Sequence, residues 1–318
     1  MRTIDIHAHL SSQRFQHAMK NGKEWHGMTA DEGELFNPLN HWDPEQRIKD
    51  MNSIGIDVQV VTANVAFYKY DQPVDVAAAI ARETNDEIRE MMVDHPDRIS
   101  GLANVPMQDI NAAIAEMDRA MNVLGMKGVM INDHVNDVLY DDPIFDPFWK
   151  AAEDMGALVL IHQARPTTVN PRLDKFHAPN SIGNLTDRAI TFATFVFGGV
   201  MDKYPNLKIC LCHGGGYTCF GIGRMDRGYE VRPEARVNIQ KPPSEYLRSF
   251  YYDCLTHSEA SLRYLVSTVG ADRVVLGTDW PADMKLDWPV AWVLGMDSLT
   301  QDEKDMILWK NLEGLLNI

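Results

Sequence analysis

The chain has 318 residues, 45% of them hydrophobic and 24% charged, with a formal net charge of −15. That much apolar material builds a sizeable core and excludes a disordered chain. The acidic balance argues against nucleic acid or an anionic membrane surface as partners, because both need a basic face, while a few local arginines can still hold a small acidic substrate.

Short apolar runs alternate with stretches of helical period. The first strand is expected over Thr3–His7 and is followed by a polar stretch, about residues 11–42. A second strand is expected at Val58–Thr62, then a helix at Asp75–Val93, whose apolar residues Val76, Ala79, Ile80, Ile88 and Met91 are separated by charge. Ile99–Val105 reads as a strand, Asn111–Val123 as a helix, Gly128–Ile131 as a strand and Pro147–Met155 as a helix with Gly156 as its stop. Ala157–His162 is the fifth strand. A proline-bearing stretch, about 163–183, separates it from a helix over Asp187–Lys203. The last strands fall at Lys208–His213, Phe250–Cys254 and Arg273–Thr278, with a helix at Glu259–Val269.

Eight strands, most followed by helical material, imply a parallel sheet wrapped by helices and closed into a (β/α)8 TIM barrel, one domain over 1–318 with insertions after strands 1 and 5. The competing architecture, an open doubly wound sheet, is weakened by the lack of a G-x-G-x-x-G turn after the first strand. The four cysteines, Cys210, Cys212, Cys219 and Cys254, form no C-x-x-C pair and read as reduced core residues. Met1–Leu10 does not read as a signal peptide, and no apolar run approaches the roughly 18 residues of a membrane span. A cytoplasmic protein is expected.

The chemistry is positional. His7 and His9 close the first strand, His162 the fifth and His213 the sixth, and Asp279 follows the eighth. In a parallel barrel all strand C-termini share one face, so these residues converge. They are ligand types that suit a divalent ion such as zinc, and two histidines spaced by one residue on a strand point to the same side. His213 opens His213-Gly214-Gly215-Gly216, and a histidine there suits proton transfer at neutral pH. Arg47 and Arg224 are candidate carboxylate forks, with Arg165 and Arg172 as further anion-binding candidates. His257 is the best remaining histidine for the site's surroundings.

The chain resembles the amidohydrolase superfamily, and within it the aminocarboxymuconate-semialdehyde decarboxylase branch. The resembling segments are Ile4–His9, Trp42-Asp43-Pro44 through Arg47, Ile54–Val60, His213 to Arg224, Pro242–Tyr246 and Leu276–Pro281, in the family's order. The resemblance implies a distorted barrel holding one zinc ion on His7, His9, His162 and Asp279. His213 matches the histidine that activates the metal-bound water, and Arg47 and Arg224 match arginines that hold the substrate carboxylate. The second is supplied across a dimer interface in the family, which makes a homodimer or larger homo-oligomer the expectation. Histidine at position 7, where related decarboxylases that tend to use manganese carry glutamate, points to zinc. Three features depart from the pattern and bear on the substrate: Gln163 after His162, the stretch Thr167–Ile182, and Ala282 after Pro281.

The leading functional expectation is nonoxidative decarboxylation of a small unsaturated or aromatic carboxylic acid through a zinc-bound water. The alternative is metal-dependent hydrolysis of an amide, lactone or related bond, with Asp279 or His213 carrying the proton. A noncatalytic metal-binding barrel is the third reading.

Overall fold

The structure is a computed structural model that describes residues 2–29 and 43–318. Among the described residues eight strands form: β1 (Ile4–Leu10), β2 (Val58–Ala63), β3 (Ile99–Gly101), β4 (Gly128–Ile131), β5 (Leu158–Ile161), β6 (Lys208–Leu211), β7 (Phe250–Asp253) and β8 (Val274–Val275). All pair in parallel, in two arcs, β1-β2-β3 and β4 through β8. One seam is joined by the bridge between Ala103 and Val129. The other closes through β1: Ile6 N–H donates to Leu276 O at 3.0 Å, Asp279 N–H to His7 O at 2.8 Å and His9 N–H to Trp280 O at 2.7 Å. The result is the expected (β/α)8 barrel, with its ladder thinned at both seams.

Those seams explain two shortened strands. Ile99–Val105 reduces to β3, where Asn104 N–H turns from the ladder to the Asn85 side chain at 2.9 Å. Arg273–Thr278 reduces to β8, where Thr278 N–H is taken by the Asp5 carboxylate at 3.1 Å. β1 instead runs three residues past its expected end. It carries one extra residue relative to β2 between Asp5 and Ala8, a bulge of the kind that re-aims side chains near sites.

The helices are α1 (Gln13–Lys20), α2 (Pro44–Ile54), α3 (Val74–Asp94), α4 (Ile110–Asn122), α5 (Asp146–Met155), α6 (Leu185–Phe197), α7 (Val200–Lys203), α8 (Thr218–Val231) and α9 (Glu259–Val269), with further short helices after Pro289. Local chemistry bounds them. Asp43 caps α2, with Pro44 in its first turn and Gly55 left-handed at its end, and Gly156 ends α5 the same way. The helix expected over Asp187–Lys203 is broken at Gly198-Gly199. Gly199 has φ +78°, and a Cβ there would lie 2.9 Å from Asn238 O. Helix α8 has no clear signal in the sequence: it carries Gly221, Gly223 and Gly228 and buries only Thr218 and Cys219. Its apolar stripe, Cys219, Ile222, Met225 and Tyr229, packs on the main core, but the glycines between them weaken the helical pattern.

The described part of the polar stretch after β1 contributes to the interior. Phe15, Met19, Trp25 and Met28 pack with Ala63, Phe67 and Ile80 into a second apolar cluster beside the main core. Residues 30–42, including His41 and Trp42, lie outside the described residues. The stretch after β5 ends in a helical turn, Pro179–Asn184, that runs into α6. Among the described residues no helix is long and apolar enough to cross a membrane.

Candidate metal centre

Three imidazoles converge on one carboxylate oxygen. Nε2 of His7, His9 and His162 lie 3.2, 3.1 and 3.7 Å from Asp279 Oδ1. Ligands arranged tetrahedrally at zinc–nitrogen distances sit about 3.3 Å from one another, so the cluster has the spacing of a ligand set. His7, His9, His162 and Asp279 are all buried, and one donor atom from each lies within 4.8 Å of the others.

Hydrogen-bond partners on the far side of each ring fix its tautomer. His7 Nδ1 lies 2.8 Å from Asp253 Oδ2, an acceptor only. His162 Nδ1 meets Gln163 O at 3.0 Å. His9 Nδ1 is 3.1 Å from Thr62 Oγ1, whose own hydroxyl donates to Ala8 O. With each Nδ1 carrying the proton, each Nε2 presents a lone pair to an anionic oxygen. Nε2 of His7 and of His162 are buried without a hydrogen-bond partner. Lone pairs crowded on a carboxylate are satisfied by a cation, so the residues fit a divalent metal.

The electrostatics of the side chains alone agree. Burial pushes the Asp279 carboxyl up, but His7, His162 and His213 outweigh it and hold the group well below the usual carboxylate range. Burial lowers both the His162 and the His213 imidazoles, against the pull of Asp279. At His7 burial is overcome by Cys212, Asp279 and Asp253 around the ring, which raise it well above the ordinary histidine value.

His213 faces the same carboxylate from the other side. Its Nε2 is 3.6 Å from Asp279 Oδ2, and its Nδ1 is buried with no hydrogen-bond partner. Its backbone has φ +57°, which directs the ring out of the β6 line. The glycines after it make that turn possible. A Cβ on Gly215 would lie 2.5 Å from the Tyr252 ring, and one on Gly216 2.2 Å from Leu185 O.

Two cavities meet at Asp279. The first, about 810 Å³, touches His9, His162 and Gln163 and is bounded further out by Asn64, His134, Arg165, His177 and Ala282. The second, about 610 Å³ and largely apolar, touches His213 and is walled by Tyr217, Phe220, His257 and Leu265. Asn180 and Asn184 line both. Two departures from the family pattern, Gln163 and Ala282, therefore face the first cavity.

The arginines separate sharply. Arg165 is exposed on the first cavity. Arg47, expected at the substrate, lines neither cavity. It is fully buried, donates to Gln59 Oε1 at 2.7 Å and His9 O at 2.8 Å, and stacks on the Trp280 ring. Here it braces the end of β1, and burial lowers its pKa to about 9 against the pull of Asp5 and Asp50. Arg224 is exposed on α8 and lines neither cavity. His257 borders the second cavity at an exposed position, away from the four clustered groups.

A model of the amidohydrolase family matches residues 4–318. The chain belongs to the amidohydrolase family. It is 33% identical over 291 residues to a 2-amino-3-carboxymuconate-6-semialdehyde decarboxylase of Dictyostelium discoideum, covering 90% of this chain and 80% of that one. The amidohydrolase barrel is shared with solved structures as well. A 5-carboxyvanillate decarboxylase from Sphingomonas paucimobilis superposes with TM-score 0.87 at 23% identity, over 100% of this chain and 99% of that one. A dihydroxybenzoic acid decarboxylase from Polaromonas sp. JS666, solved with bound manganese and 2-nitroresorcinol, gives 0.84 at 23% identity, over 99% and 97% of the two chains.

Within this amidohydrolase, sequence reasoning missed the supports of the centre. Asp253, Thr62 and the buried pair Asp133–Arg188 were not singled out. Arg188 binds the Asp133 carboxylate and Ile161 O, the last carbonyl of β5 before His162. Asp253 carried a readable signal: it is the one carboxylate in the strand Phe250-Tyr251-Tyr252-Asp253, at the end facing the site.

Proposed function

We propose that this amidohydrolase is a zinc-dependent nonoxidative decarboxylase of a small unsaturated or aromatic carboxylic acid. The carrying observation is the geometry at Asp279: three imidazole Nε2 atoms gathered on Oδ1, and the separate imidazole of His213 on Oδ2. The relatives whose names describe decarboxylation of muconate, carboxyvanillate and dihydroxybenzoate acids favour this reading over hydrolysis. The three-histidine, one-carboxylate donor set, with histidine at position 7, supports zinc over manganese.

A divalent ion held by His7, His9, His162 and Asp279 would supply Lewis-acid charge that lowers the pKa of coordinated water and polarises a substrate oxygen. The protein's own groups do the rest. Arg165 is placed at the first cavity to hold a carboxylate in a planar, two-pronged contact. When the carbon–carbon bond breaks, carbon dioxide leaves, the electron pair stays on the remaining carbon and a proton replaces the carboxylate there. His213 is placed to move that proton: its Nε2 lies 3.6 Å from Asp279 Oδ2, and burial, which lowers its pKa, favours the neutral imidazole that can accept one. Asn180 and Asn184, shared by both cavities, position polar substituents of the substrate.

Arg224 is assigned to a neighbouring subunit's site. Its helix α8 supports a homo-oligomer, since Phe220 is 85% exposed and no heavy atom lies within 4 Å of where a Cβ on Gly221, Gly223 or Gly228 would stand. An exposed aromatic beside open positions on the helix suits a partner surface. The same proposal keeps residues 1–318 as one domain and a cytoplasmic location, for which the four free buried cysteines speak. The test is to incubate zinc-loaded protein with carboxymuconate and hydroxybenzoate analogues labelled at the carboxyl carbon. Labelled carbon dioxide is expected; ring or amide opening with the label retained overturns the assignment.

A further inference from the structure

Asp253 is the last residue of β7, fully buried, and touches neither cavity. Its two carboxylate oxygens divide their work. Oδ2 accepts from His7 Nδ1 at 2.8 Å. Oδ1 accepts from the backbone N–H of Gly214 at 2.8 Å and from that of Leu255 at 3.1 Å. One side chain therefore joins a metal-ligand ring on β1 to the residue that follows His213 at the end of β6.

From this we infer that Asp253 is a positioning residue that sets the ligand tautomer of His7 and holds the His213 turn in register with it. The inference rests on the proposed metal centre and goes beyond it, because it couples the ion's affinity to the placement of the proton-carrying histidine. The physical reason is in the donors. A carboxylate only accepts, so it compels His7 to keep its proton on Nδ1 and its lone pair on Nε2. It also anchors the glycine turn, in which His213 stands at φ +57° and Gly214 at φ +61°.

The surroundings are shaped to this contact. A Cβ at Gly277 would come within 2.7 Å of Asp253 Cβ and 3.1 Å of His7 Cβ, so the β8 backbone approaches the pair as closely as glycine allows. Asp253 takes three donors, His7 Nδ1 and the backbone N–H groups of Gly214 and Leu255, as an ionised carboxylate does.

Asp253→Asn separates the two functions with little change of shape. Its Oδ1 can still accept from Gly214 and Leu255, but its Nδ2 would face the Nδ1–H of His7, donor against donor. Zn2+ and Mn2+ affinities, measured by chelator competition, are expected to fall by about 10- to 100-fold, the size typical when a partner behind a ligand is lost. Under saturating metal, kcat is expected to fall with little change in KM. The fall should be smaller in a His213→Ala background, since part of the effect of Asp253 passes through His213.

Uptake of either ion by the wild-type protein tests the centre itself, so failure there is distinct from failure of this inference. Wild-type binding with unchanged affinity in Asp253→Asn, and kcat effects that add in the double variant, would overturn the positioning role. Should Asp253→Asn not fold, nitrogen-15 histidine spectra of the wild-type protein decide. A deshielded Nδ1–H on His7, kept when metal is added, is expected; an Nε2–H tautomer would sink the proposal.

Discussion

The metal corner and the α8 region differ in how completely one chain finishes them. At the corner, β1, β5 and the turn after β8 place His7, His9, His162 and Asp279 in a buried cluster in which every imidazole has a fixed partner behind it. On α8, Arg224 and Phe220 are exposed on a glycine-bearing helix, Phe220 beside the second cavity. The corner is closed within one chain, whereas α8 presents exposed side chains, which the proposed homo-oligomer would cover.

The sharpest way to break this contrast is at the ligands. Asp279→Ala or His162→Ala is expected to weaken zinc binding by more than about 100-fold, beyond the loss seen when only a supporting partner is removed; metal content after dialysis checks it. His213→Ala should keep the ion and lose roughly 10²- to 10⁴-fold in kcat, the usual contribution of a proton-transfer group. An empty site in that variant would make His213 a ligand.

The arginines sharpen the comparison further. Arg47→Ala removes a buried brace of β1 and should cost about 3–5 kcal/mol of stability in denaturant titrations, as for other broken buried charge contacts. Arg165→Ala should leave stability unchanged and raise KM by about 10- to 100-fold, consistent with about 1.5–3 kcal/mol for a hydrogen bond to a charged group. If Arg47→Ala folds normally and only KM rises, the two roles are exchanged. The smallest effects belong to α8. Phe220→Asp should shift sedimentation toward the monomer with metal content intact. Mixing Arg224→Ala with His213→Ala chains should restore activity that neither has alone, because one hybrid site is complete.

Much of the centre was legible before folding, for a physical reason. Barrel topology carries every strand end to one face, so His7, His9, His162, His213 and Asp279 could be grouped from their places in the strand order alone. Arg47 was not legible in the same way. Arginine's fork suits a carboxylate ligand, but it equally suits a backbone carbonyl and a glutamine in the interior, and composition does not say which. α8 escaped notice because glycines interrupt the stripe, Cys219, Ile222, Met225 and Tyr229, that packs on the core.

By itself the sequence determined the strand order, the ligand types and the bounds of helices such as Glu259–Val269, since periodicity, caps and glycines act over a few residues. Only the tertiary structure decided which nitrogen of each histidine faces the ion, that Asp253 stands behind His7, and that Arg47 turns inward while Arg165 faces the cavity. Those outcomes depend on contacts between residues as far apart as His7 and Asp253, 246 positions along the chain, which no local pattern encodes.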